Sequence, residues 1–113
     1  MQINSMTSQN VKIVVFVPET HAESVREAMG KAGAGRIGNY TSCSFSTRGI
    51  GRFRPEEGAN PSIGKIGELE KVNEEKVEMV CQRNKIKDVI NAVKKVHPYE
   101  EVALDVFPLE DVN

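Results

Sequence analysis

No stretch of the chain approaches the ~20 consecutive apolar residues that a membrane-spanning helix needs. The chain also lacks an excess of either charge: fifteen Lys and Arg stand against sixteen Asp and Glu. A general nucleic-acid binder carries a strong basic surplus, so the near-balance excludes that class and leaves no nucleic-acid or membrane partner to expect. Cysteine is scarce too. Cys43 and Cys81 stand alone with no C-x-x-C pair, which argues against a zinc ribbon or a redox dithiol. Two free thiols fit a reducing, cytoplasmic setting. Also missing is any complete catalytic constellation. The start, MQINSMTSQN, has neither the basic nor the apolar region of a signal peptide and is expected to be a flexible tail over residues 1–10.

What is abundant is glycine, and it is concentrated. Eight of the nine glycines fall between Gly33 and Glu70. Tyr40, Phe45 and Phe53 are interspersed among them, whereas a flexible linker is Gly/Ser-rich without aromatics. The stretch therefore reads as an ordered arm, folded against its own chain or a neighbouring subunit. The 113 residues allow one domain with a single modest core, expected over residues 11–110.

The rest of the chain supplies two α/β units around that arm. Val11–Val17 is almost continuously apolar and β-branched, the pattern of an interior strand. Thr20 and Glu23 have capping-box spacing, and Ala22, Val25, Met29 and Ala32 form one apolar stripe of a helix. Tyr40–Thr47 alternates and predicts a strand. Glu68–Arg83 predicts another, with a kink or bulge at Asn73-Glu74-Glu75. Asn84 is a candidate N-cap for a second helix bearing Ile86, Val89, Ile90, Val93 and Val96, and Pro98 stops it. A last strand is predicted over Val102–Phe107, closed by Pro108. The order β-α-β-β-α-β predicts an α+β, ferredoxin-like sandwich with an extended Gly-rich β-hairpin arm over Gly35–Glu75.

Three places carry candidate chemistry. Gly33-Ala34-Gly35-Arg36-Ile37-Gly38 matches G-x-G-x-x-G, but it follows a helix and opens a strand. A dinucleotide site needs the opposite order, so a helix terminator and tight loop is the preferred reading. Arg48, Arg52 and Arg54 alternate with Gly49, Gly51 and Phe53. Arginine forks suit phosphate or carboxylate, while positive charge on a hairpin arm also protects an edge from wrong pairing. His97, Pro98, Tyr99, Glu100 and Glu101 leave a helix end together. His97, Glu100 and Glu101 are a conceivable half-site for a divalent metal; the alternative is a structural helix-to-strand corner or a subunit contact. Cys43 and Cys81 read as buried free thiols.

The segments Gly33–Phe45, Gly49–Gly64, Gly67–Met79 and His97–Leu109 (GAGRIGNYTSCSF, GIGRFRPEEGANPSIG, GELEKVNEEKVEM, HPYEEVALDVFPL) together resemble the inserted domain of the Nif-three-like family, the NGG-interacting-factor-like, dinuclear-metal-centre hydrolase-like proteins. The resemblance covers the chain from Val11 onward, and the chain is similar to a stand-alone copy of that insert. It implies a PII- or CutA-like fold. CutA proteins share a corner similar to His97–Glu100 and form trimers through their sheets, although the tandem tryptophans of many CutA proteins have no counterpart here. In the full-length family the metal site belongs to flanking halves, so no metal ligand or catalytic residue is carried over. The function expected is a small binding or regulatory module, a homotrimer holding a small-molecule or anionic ligand at subunit clefts. Arg48, Arg52, Arg54, His97, Tyr99, Glu100 and Glu101 would line those clefts. A divalent-metal protein or enzyme using the His97 corner, and a structural partner docking on another protein, are the alternatives.

Overall fold

The computed structural model describes residues 7–112. Its elements are β1 (Thr7–Pro18), a 3₁₀ turn (Glu19–His21), α1 (Ala22–Lys31), β2 (Phe45–Phe53), β3 (Glu70–Gln82), a second 3₁₀ turn (Arg83–Lys85), α2 (Ile86–Val96) and β4 (Leu104–Glu110). The four strands form one antiparallel sheet in the order β2-β3-β1-β4. This is the βαββαβ sandwich that the element order predicts.

The apolar run of β1 takes an interior place. Val11, Ile13, Val15 and Val17 point to one face and are fully buried there. On that face they join Val77, Met79 and Cys81 of β3 and meet Val25 and Met29 of α1 and Val89 and Val93 of α2. Burial of one β-branched or Met side chain contributes about 1.5–3 kcal/mol before entropy is charged, so this two-helix layer is the main source of stability. The opposite face carries no helix.

Several boundaries differ from expectation. The expected tail over 1–10 lies outside the described residues in its first six positions, and β1 already begins at Thr7. The Thr20 capping box does not form. A 3₁₀ turn delays α1 to Ala22, with no side-chain cap bond, and Thr20 Oγ1 instead meets His21 Nδ1 at 2.8 Å. Asn84 is displaced from its capping role in the same way, lying inside the second 3₁₀ turn.

The strand predicted from Tyr40 starts only at Phe45. Ser42 adopts φ 58°, which breaks an extended run. The segment before it folds back on β3: Gly35 N–H donates to the Val80 carbonyl at 2.7 Å, and Cys43 N–H to Gly35 at 2.9 Å. Gly35 itself has φ +83°, and a Cβ there would lie 2.8 Å from the Cys43 carbonyl oxygen. Glycine is required by both conformation and space.

β3 carries no bulge at Asn73-Glu74-Glu75. Its register runs unbroken, Asn73 opposite Ile50 and Glu75 opposite Val17 and Arg48. Pro108 does not close the last strand either. β4 continues to Glu110 with Pro108 opposite Val11, tolerated because β4 is an edge strand. Residues 70–73 of β3 pair with β2 alone. This ribbon is the arm, within a molecule measuring 51 × 26 × 24 Å.

Candidate functional site

α2 ends where Pro98 prevents another turn, and His97 N–H makes the last helical bond to Val93 at 2.9 Å. The His97 ring then turns inward. One of its nitrogens, Nε2, lies 2.8 Å from the Phe16 carbonyl, and the other, Nδ1, lies 3.1 Å from the Tyr99 backbone N–H. A carbonyl can only accept and an amide N–H can only donate, so Nε2 carries the proton and Nδ1 is the acceptor. Burial pushes the His97 pKa below the ordinary histidine value, against the opposing pull of the Phe16 bond and the Glu74 charge. His97 is thus a neutral strut tying the corner to β1. Both nitrogens are spent on backbone groups. Among the described residues, no three His, Cys, Asp or Glu side chains gather to hold a metal ion; of the expected half-site, His97 is engaged with backbone groups and Glu100 with Asn60.

Tyr99 faces the helix-free side. Its ring centroid lies 5.1 Å from that of His97 and 5.4 Å, edge-on, from that of Phe53. Its hydroxyl donates to Glu74 Oε2 at 2.8 Å. Burial first, then this bond, pushes the Tyr99 pKa well above the ordinary phenol value, so the hydroxyl keeps its proton and remains a donor. Glu74 is only 9% exposed. Its carboxylate lies across β2 at Gly51, in the place that a Cβ there would occupy. Glu75, one residue on, points to the other face and accepts from Arg26 Nη1 at 2.6 Å.

These groups wall a cavity of about 400 Å³ on the helix-free face. Phe16, Phe53 and Ala103 come from the sheet and corner, and Pro55, Ala59, Pro61 and Ile63 from the loop that joins β2 to β3. Glu100 Oε2 accepts from Asn60 N–H at 3.0 Å and pins that loop to the corner. The loop is also tied to itself, with Pro55 buried and Gly67 N–H donating to the Pro55 carbonyl at 2.7 Å. The arm and the His97 corner, expected to meet between subunits, meet within one chain.

The structure brings together most of the residues singled out from sequence. Arg52, Arg54, Tyr99, Glu100 and Glu101 line the cavity, and His97 stands behind Tyr99. Arg48 is not on the cavity wall; it pairs in register with Glu75, whose side chain belongs to the helix face. Sequence reasoning missed Phe16, Gly51 and Glu74. Glu74 looked like part of a polar interruption, and only the strand register reveals that it alternates inward. Cys43 is half-buried, its thiol directed at the Thr41 carbonyl at 3.9 Å. Cys81 is buried, and burial raises its pKa.

No protein-family model matches the chain. It is 53% identical over 103 residues to the GTP cyclohydrolase 1 type 2 homolog of Halalkalibacterium halodurans, covering 91% of this chain and 28% of that protein. To the Bacillus subtilis homolog it is 54% identical over 99 residues, covering 88% and 26%. The chain thus spans about a quarter of the length of these relatives. A solved Bacillus cereus protein related to NIF3 superposes with a TM-score of 0.79 at 48% identity, over 93% of this chain and 27% of that one. The periplasmic divalent cation tolerance protein CutA of Archaeoglobus fulgidus superposes with a TM-score of 0.68 at 18% identity, over 92% and 87%. At that identity the likeness is one of fold.

Proposed function

For a CutA-like chain related in sequence to a segment of the NIF3-type GTP cyclohydrolase 1 type 2 homologs, we propose a binding or regulatory role, exerted through a small molecule held in the cavity between arm and corner. One observation carries this reading. The cavity has about the volume of a small-ligand pocket and is lined by apolar side chains around a few fixed polar groups, one of them the part-buried Tyr99–Glu74 pair. The loop above it is tied down rather than free, so the shape is preorganised.

We further propose that the chain assembles as a homotrimer through its helix-free face. Phe45 and Phe107 are 68% and 51% exposed in the single chain, and the register puts both on that face, beside Glu78 and Lys12. The edge strands β2 and β4 offer open backbone groups that assembly would cover.

The reading is tested by native mass spectrometry of purified protein and by thermal-shift screening against a metabolite library. Retained or stabilising small molecules, lost on Tyr99→Ala, are the expected result. A protein that carries nothing and responds to nothing would overturn it.

A further inference from the structure

The charge around the cavity is lopsided. Arg54 brings one positive group, and Arg52 lines the wall from a strand position whose side chain alternates to the other face with Arg48, whereas Glu56, Glu74, Glu100 and Glu101 bring four negative groups. The two arginines are exposed, where water screens their pull on a ligand. Glu74 is in the opposite situation, nine-tenths buried. Its Oε2 has the Tyr99 hydroxyl as donor, and no described residue donates to its Oε1. That oxygen reaches over Gly51, where β2 offers no side chain to meet it. Tyr99, held protonated, supplies one hydrogen bond and no charge. A largely buried carboxylate whose second oxygen remains accessible and has no protein donor, set among Phe16 and Phe53, leaves that oxygen free for a donor from a ligand. A charged N–H donor answers it best, and aromatic walls favour a cation over an anion.

We propose that the cavity takes a small organic cation: a primary ammonium or amidinium group on Glu74 Oε1, carried by an apolar or aromatic body that rests against Phe16 and Phe53. This rests on the reading of the cavity as a ligand site, and it reverses the preference for anions that Arg52 and Arg54 suggest in sequence. Gly51 is part of the device, since a side chain there would push the carboxylate aside.

The test uses three probes of one shape, benzylamine, benzyl alcohol and benzoate, titrated into the isotopically labelled full chain and followed by amide chemical shifts. Benzylamine is expected to move the signals of Gly51, Phe53 and Ala103 and to bind about tenfold or more tightly than the other two. Glu74→Gln, which keeps an acceptor for Tyr99, should erase that preference while benzyl alcohol binds as before. Gly51→Ala should weaken benzylamine alone, and it serves where Glu74→Gln fails to fold. If all three probes bind at the cavity with equal strength, or benzoate binds best, the cation proposal is overturned and the ligand site survives. If none of the three perturbs those signals, both fall.

Discussion

Tyr99 and Glu74, 25 residues apart in sequence, are joined by a hydroxyl–carboxylate hydrogen bond of 2.8 Å. It links the corner after α2 to the strand that forms the arm. Because the acceptor is a largely buried carboxylate, Tyr99→Phe should cost on the order of 1–3 kcal/mol. Urea unfolding followed by circular dichroism measures this, and an unchanged midpoint would show that the bond contributes nothing net.

The same bond predicts a late-ionising phenol. In a Tyr40→Phe background only Tyr99 reports in ultraviolet absorbance. Its ionisation midpoint should lie clearly above the ordinary value of 10.0. The unfolded chain loses its phenolic proton first, so stability is intact below pH 10 and falls above it. A midpoint at 10 in the folded protein would contradict the geometry.

His97 gives the acid-side counterpart. Its folded pKa is depressed from 6.5 by burial, partly offset by the Phe16 bond and the Glu74 charge. The unfolded chain therefore takes up a proton that the folded ring refuses, and stability declines as pH drops below about 6.5. In His97→Gln this particular decline should be missing, although the variant is less stable throughout. Denaturant midpoints at pH 7.5 and 5.5 in both proteins decide it.

Two glycines with positive φ provide a steric comparison. At Gly35 a Cβ would press on the Cys43 backbone and on Met79, whereas at Gly38, with φ +55°, it would meet nothing within 4 Å. Gly38→Ala should cost about 1 kcal/mol. Gly35→Ala should cost about 2 kcal/mol or more beyond that, because overpacking adds to strain. Equal midpoints for the two variants would mean that the loop yields freely.

Assembly is checked by mass. Phe45→Asp and Phe107→Asp alter exposed positions and should leave the fold intact, as helical circular dichroism would show. If the helix-free face is the trimer surface, the pair should shift the light-scattering mass from three chains to one. A wild-type protein that already runs as a single chain would remove the trimer proposal.

The fold was legible because its largest signals are redundant. Val11–Val17 reads as an interior strand, and the stripes through Val25 and Met29 and through Val89 and Val93 fix the helix faces. Boundaries were less legible wherever a local alternative competes. Thr20 and Asn84 have capping chemistry, yet the 3₁₀ turns around them move each helix start beyond their reach. The corner residues were found because His97–Glu101 is contiguous. Glu74 was not, since its meaning lies in pairing with strands 20 or more residues away, and local pattern carries no such information. Arg48 shows the converse, a residue that matches a motif in sequence and lies off the cavity wall in space.

Glu74 and Glu75 send neighbouring carboxylates to opposite sides of one strand, one to Tyr99 and the other to Arg26. Slippage of β3 by a single position would turn Val77 and Met79 off the core face and set Lys76 and Glu78 against it. In the native frame each of the two adjacent acids thus meets a different partner, so the pair Glu74–Tyr99 and Glu75–Arg26 forms together only when β3 sits in this one alignment.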